Sequence, residues 1–202
     1  MLAGASAVAV WVLQRVFVQS LQGQRWDEGW RLDIQSAAGP MWGERGHDFG
    51  VFSLRVGLLM CAVLAVIVMV RLRWGLLARG VLLVAGANAT TQILKHGVIE
   101  RPGYVGFGPN ALPSGHVTLV ASVVFAALIV ASTAWRPLVA LVGCGWIAAT
   151  AVATVVGGWH RPSDTVAAVL VCVGWACLVS AVRLRRWPPD APDAVRTRPE
   201  QR

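Results

Sequence analysis

Charge is scarce in this chain: Asp, Glu, Lys and Arg make up 14% of its 202 residues, and Lys95 is its single lysine. So little charge argues against an ordinary soluble domain, and because the basic residues at the end of the chain adjoin an apolar run and so mark a membrane face, nucleic acid is not an expected partner. The four cysteines, Cys61, Cys144, Cys172 and Cys177, lie inside apolar runs without paired metal-ligand spacing. That excludes a disulfide frame and a cysteine-based zinc site, leaving the thiols as small apolar groups. No basic residue precedes the first apolar stretch, which argues against a cleaved signal peptide. No internal repeat is present, so a single domain is expected.

What the sequence has is apolar length. Hydrophobic residues are 56% of the total and mean hydropathy is +0.60. The apolar residues fall into runs too long for strands or ordinary core helices. Six spans are expected, at 3–18, 51–70, 74–94, 117–131, 138–156 and 164–182, each approaching the ~20 residues that cross a bilayer core. The first is short and carries Gln14 and Arg15. The predicted architecture is an all-α, six-span transmembrane helical bundle. It comprises one membrane domain over 1–182, with the 20–50 segment as an extracytoplasmic loop, and a basic cytoplasmic tail over 183–202. That loop, rich in Trp, Gly and mixed charge, is a candidate for a short interfacial helix or lid.

Charge placement orients the bundle. With a cytoplasmic amino terminus, ten of the eighteen basic residues fall on inner loops and tail: Arg71, Arg73, Arg79, Arg136, Arg183, Arg185, Arg186, Arg196, Arg198 and Arg202. The positive-inside bias therefore favours both termini in the cytoplasm, and the Arg-rich composition with a single Lys points to a bacterial plasma membrane. A basic tail beside a last span marks the cytoplasmic face and attracts anionic lipid. Trp26, Trp30, Trp42 and Trp159 on one side, and Trp74, Trp135 and Trp187 on the other, stand where interfacial belts belong.

Alternating spans then bring Lys95, Arg101, Ser114, His116, His160 and Asp164 to the outer face, although they are far apart in sequence. Each type alone has ordinary uses as an interfacial anchor, a helix cap or a first-turn acid. Six such groups together near a bundle interior are costly unless they serve a purpose. Ser114-Gly115 before an apolar run reads as a helix start, with free amides and the positive dipole end facing the site. Gly115 lets the backbone approach an anion closely, and Ser114 can donate its hydroxyl. His116 can protonate a leaving oxygen. Lys95 and Arg101 add positive charge, the arginine as a planar fork suited to phosphate oxygens.

His160 and Asp164 are four residues apart. If the sixth helix begins near His160, they share a face, and the carboxylate can hold one imidazole N–H while the other nitrogen attacks phosphorus. The competing reading is a metal site made of His116, His160, Asp164 and Glu100. The cations Lys95 and Arg101 argue against it, because they repel a divalent ion.

These pieces resemble the signature of the type 2 phosphatidic acid phosphatase superfamily, which includes lipid phosphate phosphatases and vanadium haloperoxidases. That signature runs Lys, six residues, Arg-Pro; then Pro-Ser-Gly-His; then Ser-Arg, five residues, His, three residues, Asp. Its counterparts here are Lys95 with Arg101-Pro102, Pro113-Ser114-Gly115-His116, and His160 with Asp164. The six-span layout also looks like the membrane branch, so the resemblance covers about 74–182. It implies a histidine–phosphate intermediate at His160, proton donation by His116, and phosphate binding by Lys95, Arg101, Ser114 and Gly115, without metal or other cofactor.

The chain departs from the pattern twice. Five residues, not six, separate Lys95 from Arg101, and the Ser-Arg pair falls on Ala153-Thr154, so one arginine is missing. Arg161, directly after His160, is the candidate to replace that charge. The expectation is a metal-independent phosphatase acting on a phosphorylated lipid at the outer leaflet. Phosphatidate, phosphatidylglycerol phosphate, prenyl diphosphate and a prenyl-phosphosugar phosphate are the implied substrates. A phosphotransferase using the same histidine and a catalytically silent lipid-binding or transport protein remain as alternatives.

Overall fold

The computed structural model describes residues 1–105 and 110–181. Among them the regular structure is entirely helical. The chain runs through α1 (Leu2–Leu13), α2 (Leu21–Ala38), α3 (Pro40–Val70), α4 (Trp74–Ile93), α5 (Gly115–Val130), α6 (Arg136–Val156) and α7 (Pro162–Ala181). Short π-helical turns extend α1 over Gln14–Val18 and α4 over Leu94–Val98. The basic tail expected over 183–202 lies outside the described residues, as does part of the loop before α5.

Four helices are long and apolar enough to cross a membrane, α3, α4 with its π turn, α6 and α7, and a fifth span arises if α1 and α2 count as one broken segment. Six spans are therefore more than length and composition support. α5 has 16 residues, about 24 Å of helix, and falls short of the ~30 Å hydrocarbon core. It is instead the centre of the bundle: its face is buried from Val117 through Val124, enclosed by α3, α4, α6 and α7. A helix that is apolar all round belongs in such a position. On the periphery, large side chains such as Leu59, Val66, Val81, Leu141 and Val142 are exposed. A surface of that kind is stable only against lipid, and the chain is an integral membrane protein.

Lipid tails are as apolar as leucine, so polar pairs and close contacts hold such helices together. Thr91 and Thr118 hydroxyls bond at 2.9 Å across α4 and α5, and Asn88 Nδ2 donates to Ser122 Oγ at 3.2 Å. Thr150 donates to Ser53 between α6 and α3, and Trp175 Nε1 to Thr90 between α7 and α4.

The 20–50 segment is not a loop. Ser20 caps α2, its Oγ accepting from Gly23 N at 2.9 Å while donating to Val16 O at 2.6 Å, and the chain turns through 90°. Only glycine fits at position 23, where a Cβ would lie 1.8 Å from Val16 O. The second half of the segment, from Pro40 onward, forms the first turns of α3.

Candidate active site

The site is assembled at the end of the bundle where α4 finishes and α5 and α7 begin. Ser114 is the N-cap of α5, with its Oγ accepting from Val117 N at 3.4 Å. Its own amide donates to Asp164 O at 2.9 Å, which ties the second motif to the third through backbone. The first amides of α5 have no partner within the helix. A Cβ on Gly115 would meet only Gln92 Nε2, at 3.6 Å, so the approach to those amides is open. Asn110 fixes the preceding loop, donating to Lys95 O and Leu112 O.

His160 does not share a helix with Asp164, contrary to the spacing argument. α7 begins at Pro162, a residue pre-set for a first helical turn, and His160 stands in the turn before it. That turn is fixed by Trp159 N and His160 N, both donating to Thr154 O, and by Gly158 at φ +79°, a left-handed conformation that favours glycine. His160 Nδ1 nevertheless faces Asp164 Oδ2 at 3.5 Å, longer than a normal hydrogen bond. The same oxygen accepts from Arg161 N at 2.9 Å. His160 also lines a cavity, together with Lys95, Gly115 and His116. The rings of His116 and His160 lie 6.3 Å apart. The Trp159 ring packs against those of His47 and His116, at 4.4 and 5.1 Å.

Arg101 is the least satisfied group in this region. Its side chain is 3% exposed, its Nη2 lies 3.8 Å from Asp164 Oδ1, and none of its three nitrogens has a hydrogen-bond partner. His160 Nδ1 and Asp164 Oδ1 are also buried without one. Burial pushes the Arg101 guanidinium down from its ordinary range, and the like charge of Arg161 adds to that. A buried cation with unused donors is costly until an anion with several acceptors meets it. Phosphate is such an anion.

Thr154, which occupies the position of the missing arginine, is fully buried and donates to Ala151 O at 3.0 Å within its own helix. Arg161 donates from Nε to Glu28 Oε2 at 2.9 Å. Lys95, on the π turn of α4, lines one cavity with Gly115, His116 and His160. The shortened Lys95–Arg101 spacing therefore does not keep either cation from the site. Of the four residues in the alternative metal reading, Glu100 is exposed, and its carbonyl takes a hydrogen bond from Gln19.

α2 is the part of the site that motif reading missed. Gln24 donates to Pro102 O and accepts from Val105 N, holding the segment after Arg101. Asp27 is fully buried and accepts from Ser163 N at 3.0 Å and Ser163 Oγ at 2.5 Å, next to Asp164. Glu28 holds Arg161 and Arg31, and Gln35 donates to Val156 O at the end of α6. Burial raises the Asp27 carboxyl above the usual range, against the lowering by Ser163. Arg31 and then Arg161 hold Glu28 below it, against its partial burial. The stripe Gln24, Asp27, Glu28, Arg31, Gln35 recurs with helical spacing, and that periodicity was the signal available in the sequence.

From this polar end a cavity of about 710 Å³ opens between α3, α4 and α5, lined further along by Leu54, Leu58, Val84 and Asn88. A charged pocket that continues into an apolar groove can hold an amphipathic molecule by both ends.

A transmembrane enzyme from Bacillus subtilis with the same fold has been solved, described as the first transmembrane PAP2 type phosphatidylglycerolphosphate phosphatase. It superposes with a TM-score of 0.69 at 16% identity, covering 88% of this chain and 94% of that one. No curated protein matches the sequence. The sequence profile of the PAP2 superfamily matches residues 76–188, more than half of the chain and every motif residue from Lys95 to Asp164. This chain belongs to the PAP2 superfamily.

Proposed function

We propose that the protein is a phosphatase that removes a phosphate from an amphipathic lipid at the outer membrane leaflet, through a phosphohistidine at His160. The observation that carries this reading is Arg101, buried beside Asp164 with all its donors unused. Family membership supports phosphatase chemistry, and the groove leading away between α3 and α4 suits a hydrocarbon tail. In this reading α1 and the short α5 complete six crossings, and both termini are cytoplasmic. α2, turned 90° from α1, then lies along the outer surface as an interfacial helix.

The chemistry follows from the side chains. The phosphoryl group lies against Arg101, Lys95 and the first amides of α5. His160 Nε2 attacks phosphorus while Asp164 orients the ring and stabilises its positive charge. The bond to the lipid oxygen breaks, and His116 gives that oxygen a proton. Water, deprotonated by His116, then attacks the phosphohistidine, and phosphate leaves. Arg161 takes the place of the arginine absent at Thr154, presented by Glu28 from the side of α2. The mechanism uses no metal.

The test is phosphate release by purified protein over a panel of lipid mono- and diphosphates with chelator present, beginning with phosphatidylglycerol phosphate, which the solved relative is described as cleaving. Turnover in chelator supports the reading. Turnover lost in chelator and restored by one divalent ion would move the assignment to the metal reading. Phosphoryl transfer to an added alcohol without release would make the protein a phosphotransferase, and silence across the panel would favour a lipid-binding protein.

A further inference from the structure

The opposite end of the bundle holds a second charged cavity, far from the histidines. It has a volume of about 520 Å³ where α4 and α6 begin and α5 and α7 end, and its polar lining is Arg73, Arg79, Arg136, Ser132, Thr133 and Ser180. Among the described residues no acidic side chain lines it, and because Arg79 has a partner of its own the cations that matter here are Arg73 and Arg136. The sequence places none within reach of this end from the described helices, because 49–99, 101–163 and 165–189 contain neither Asp nor Glu. Arg136 spends one donor, Nε, on Ala131 O at 3.3 Å, which leaves its two terminal nitrogens for another acceptor.

The arginine cavity is also continuous with apolar space. Leu76 and Val130 line both it and a groove of about 450 Å³ between α3, α4 and α5. The groove is walled by Ala62, Ala65, Val68, Gly80, Val81 and Val123. Cations with hydroxyls at one end and a hydrocarbon-lined channel at the other are the two halves of a phospholipid site. Trp74 and Trp135, both exposed, flank it where a headgroup layer would lie.

We propose that this end of the protein is a binding site for an anionic phospholipid of the leaflet opposite the catalytic residues. Its headgroup phosphate rests on Arg73 and Arg136, and one acyl chain lies in the α3–α4 groove. The groove also shares Leu58, Cys61, Val84 and Ala85 with the cavity below the histidines. The bound lipid's tail therefore meets the space that a substrate tail would enter from the other side. The site does not depend on the proposed hydrolysis.

The test uses full-length protein in nanodiscs of mixed phosphatidylglycerol and phosphatidylcholine, released for native mass spectrometry. The wild type should retain phosphatidylglycerol in preference to phosphatidylcholine. The double variant Arg73→Gln/Arg136→Gln should lose roughly thirtyfold of that preference, two basic contacts' worth, while its lipid-phosphate turnover stays at the wild-type value. Gly80→Leu, whose added Cβ meets Ala126 Cβ at an ordinary 4.0 Å, fills the groove and should weaken retention with both arginines in place. Arg101→Gln, altered only at the catalytic end, should retain the lipid as wild type does. Equal preference in the wild type and the arginine double variant would overturn the proposal. So would competition by glycerophosphoglycerol as strong as that by the intact lipid, because the groove would then contribute nothing.

Discussion

The two sides of the candidate site are built in opposite ways. On one side α2, α6 and α7 are cross-tied at Gln24, Asp27, Glu28 and Gln35, each bonded to a loop or helix end that carries a motif residue. On the other side α3 and α4 leave an apolar groove lined by Leu54, Leu58 and Val84. Phosphoryl transfer rewards positioned charge, and an ångström of looseness is costly. A lipid tail needs only continuous apolar space, and it tolerates variation in shape. In the proposed reading the tied side holds the chemistry and the open side admits the molecule.

The largest effect should come from the unsatisfied cation. Arg101→Ala removes a positioned charge from the transferring phosphoryl group and should lower kcat by ~10²–10³, measured as phosphate release at saturating substrate. Wild-type kcat in that variant would place the phosphate elsewhere.

Next is the substitute arginine. Arg161→Ala should also cut turnover strongly, though by less than Arg101→Ala, and adding Thr154→Arg should restore part of it, because both positions would address one phosphate. The double-mutant cycle measures the coupling. Glu28→Gln, which releases Arg161 without removing its charge, should cost less than Arg161→Ala. Unimpaired turnover in Arg161→Ala would remove this residue from the site.

A smaller effect separates the two acids of α2 by the sign of their pH dependence. Asp27 is raised by burial, so the stability linked to its protonation is complete below its ordinary value of 3.8 and is lost as pH rises through the folded value. Glu28 is lowered chiefly by Arg31, so its contribution is present above 4.5 and is lost as pH falls through the folded value. Thermal unfolding across acid pH should therefore show Asp27→Asn gaining relative to wild type as pH rises, and Glu28→Gln gaining as pH falls. Parallel curves for both variants would show that α2 is not tied as described.

The smallest effect belongs to the open side. Leu58→Ala should raise KM for a long-chain lipid phosphate by a few-fold, in line with the ~0.8 kcal/mol of each buried methylene, and leave a short-chain analogue unchanged. An equal effect on both would mean that the tail does not lie there.

How much of this could be read in the sequence follows the same division. Lys95, Arg101, Ser114, His116, His160 and Asp164 could be grouped from the sequence because alternating spans bring residues of these types to one end. The structure sets all six around one site. α2 was not legible as part of it, because its polar stripe resembles that of any solvated helix and its partners, backbone and side-chain groups alike, lie up to 136 residues away. α5 was counted as an ordinary span, although its enclosure lets it be shorter than the hydrocarbon core. The helix start at Pro162 was misplaced because the four-residue spacing of His160 and Asp164 suits a shared helical face as well as it suits a turn closed on Thr154 O.

The central claim is that His160 forms a bond to phosphorus, and trapping that bond tests it most directly. Enzyme mixed with ³²P-labelled lipid phosphate and quenched in base within the first turnover should carry acid-labile, base-stable label on the peptide containing His160. The label should be absent in His160→Ala, and in His116→Ala it should persist longer once formed, because the water that removes it lacks its base. Unlabelled wild-type protein during turnover, or full phosphate release by His160→Ala, would contradict the mechanism.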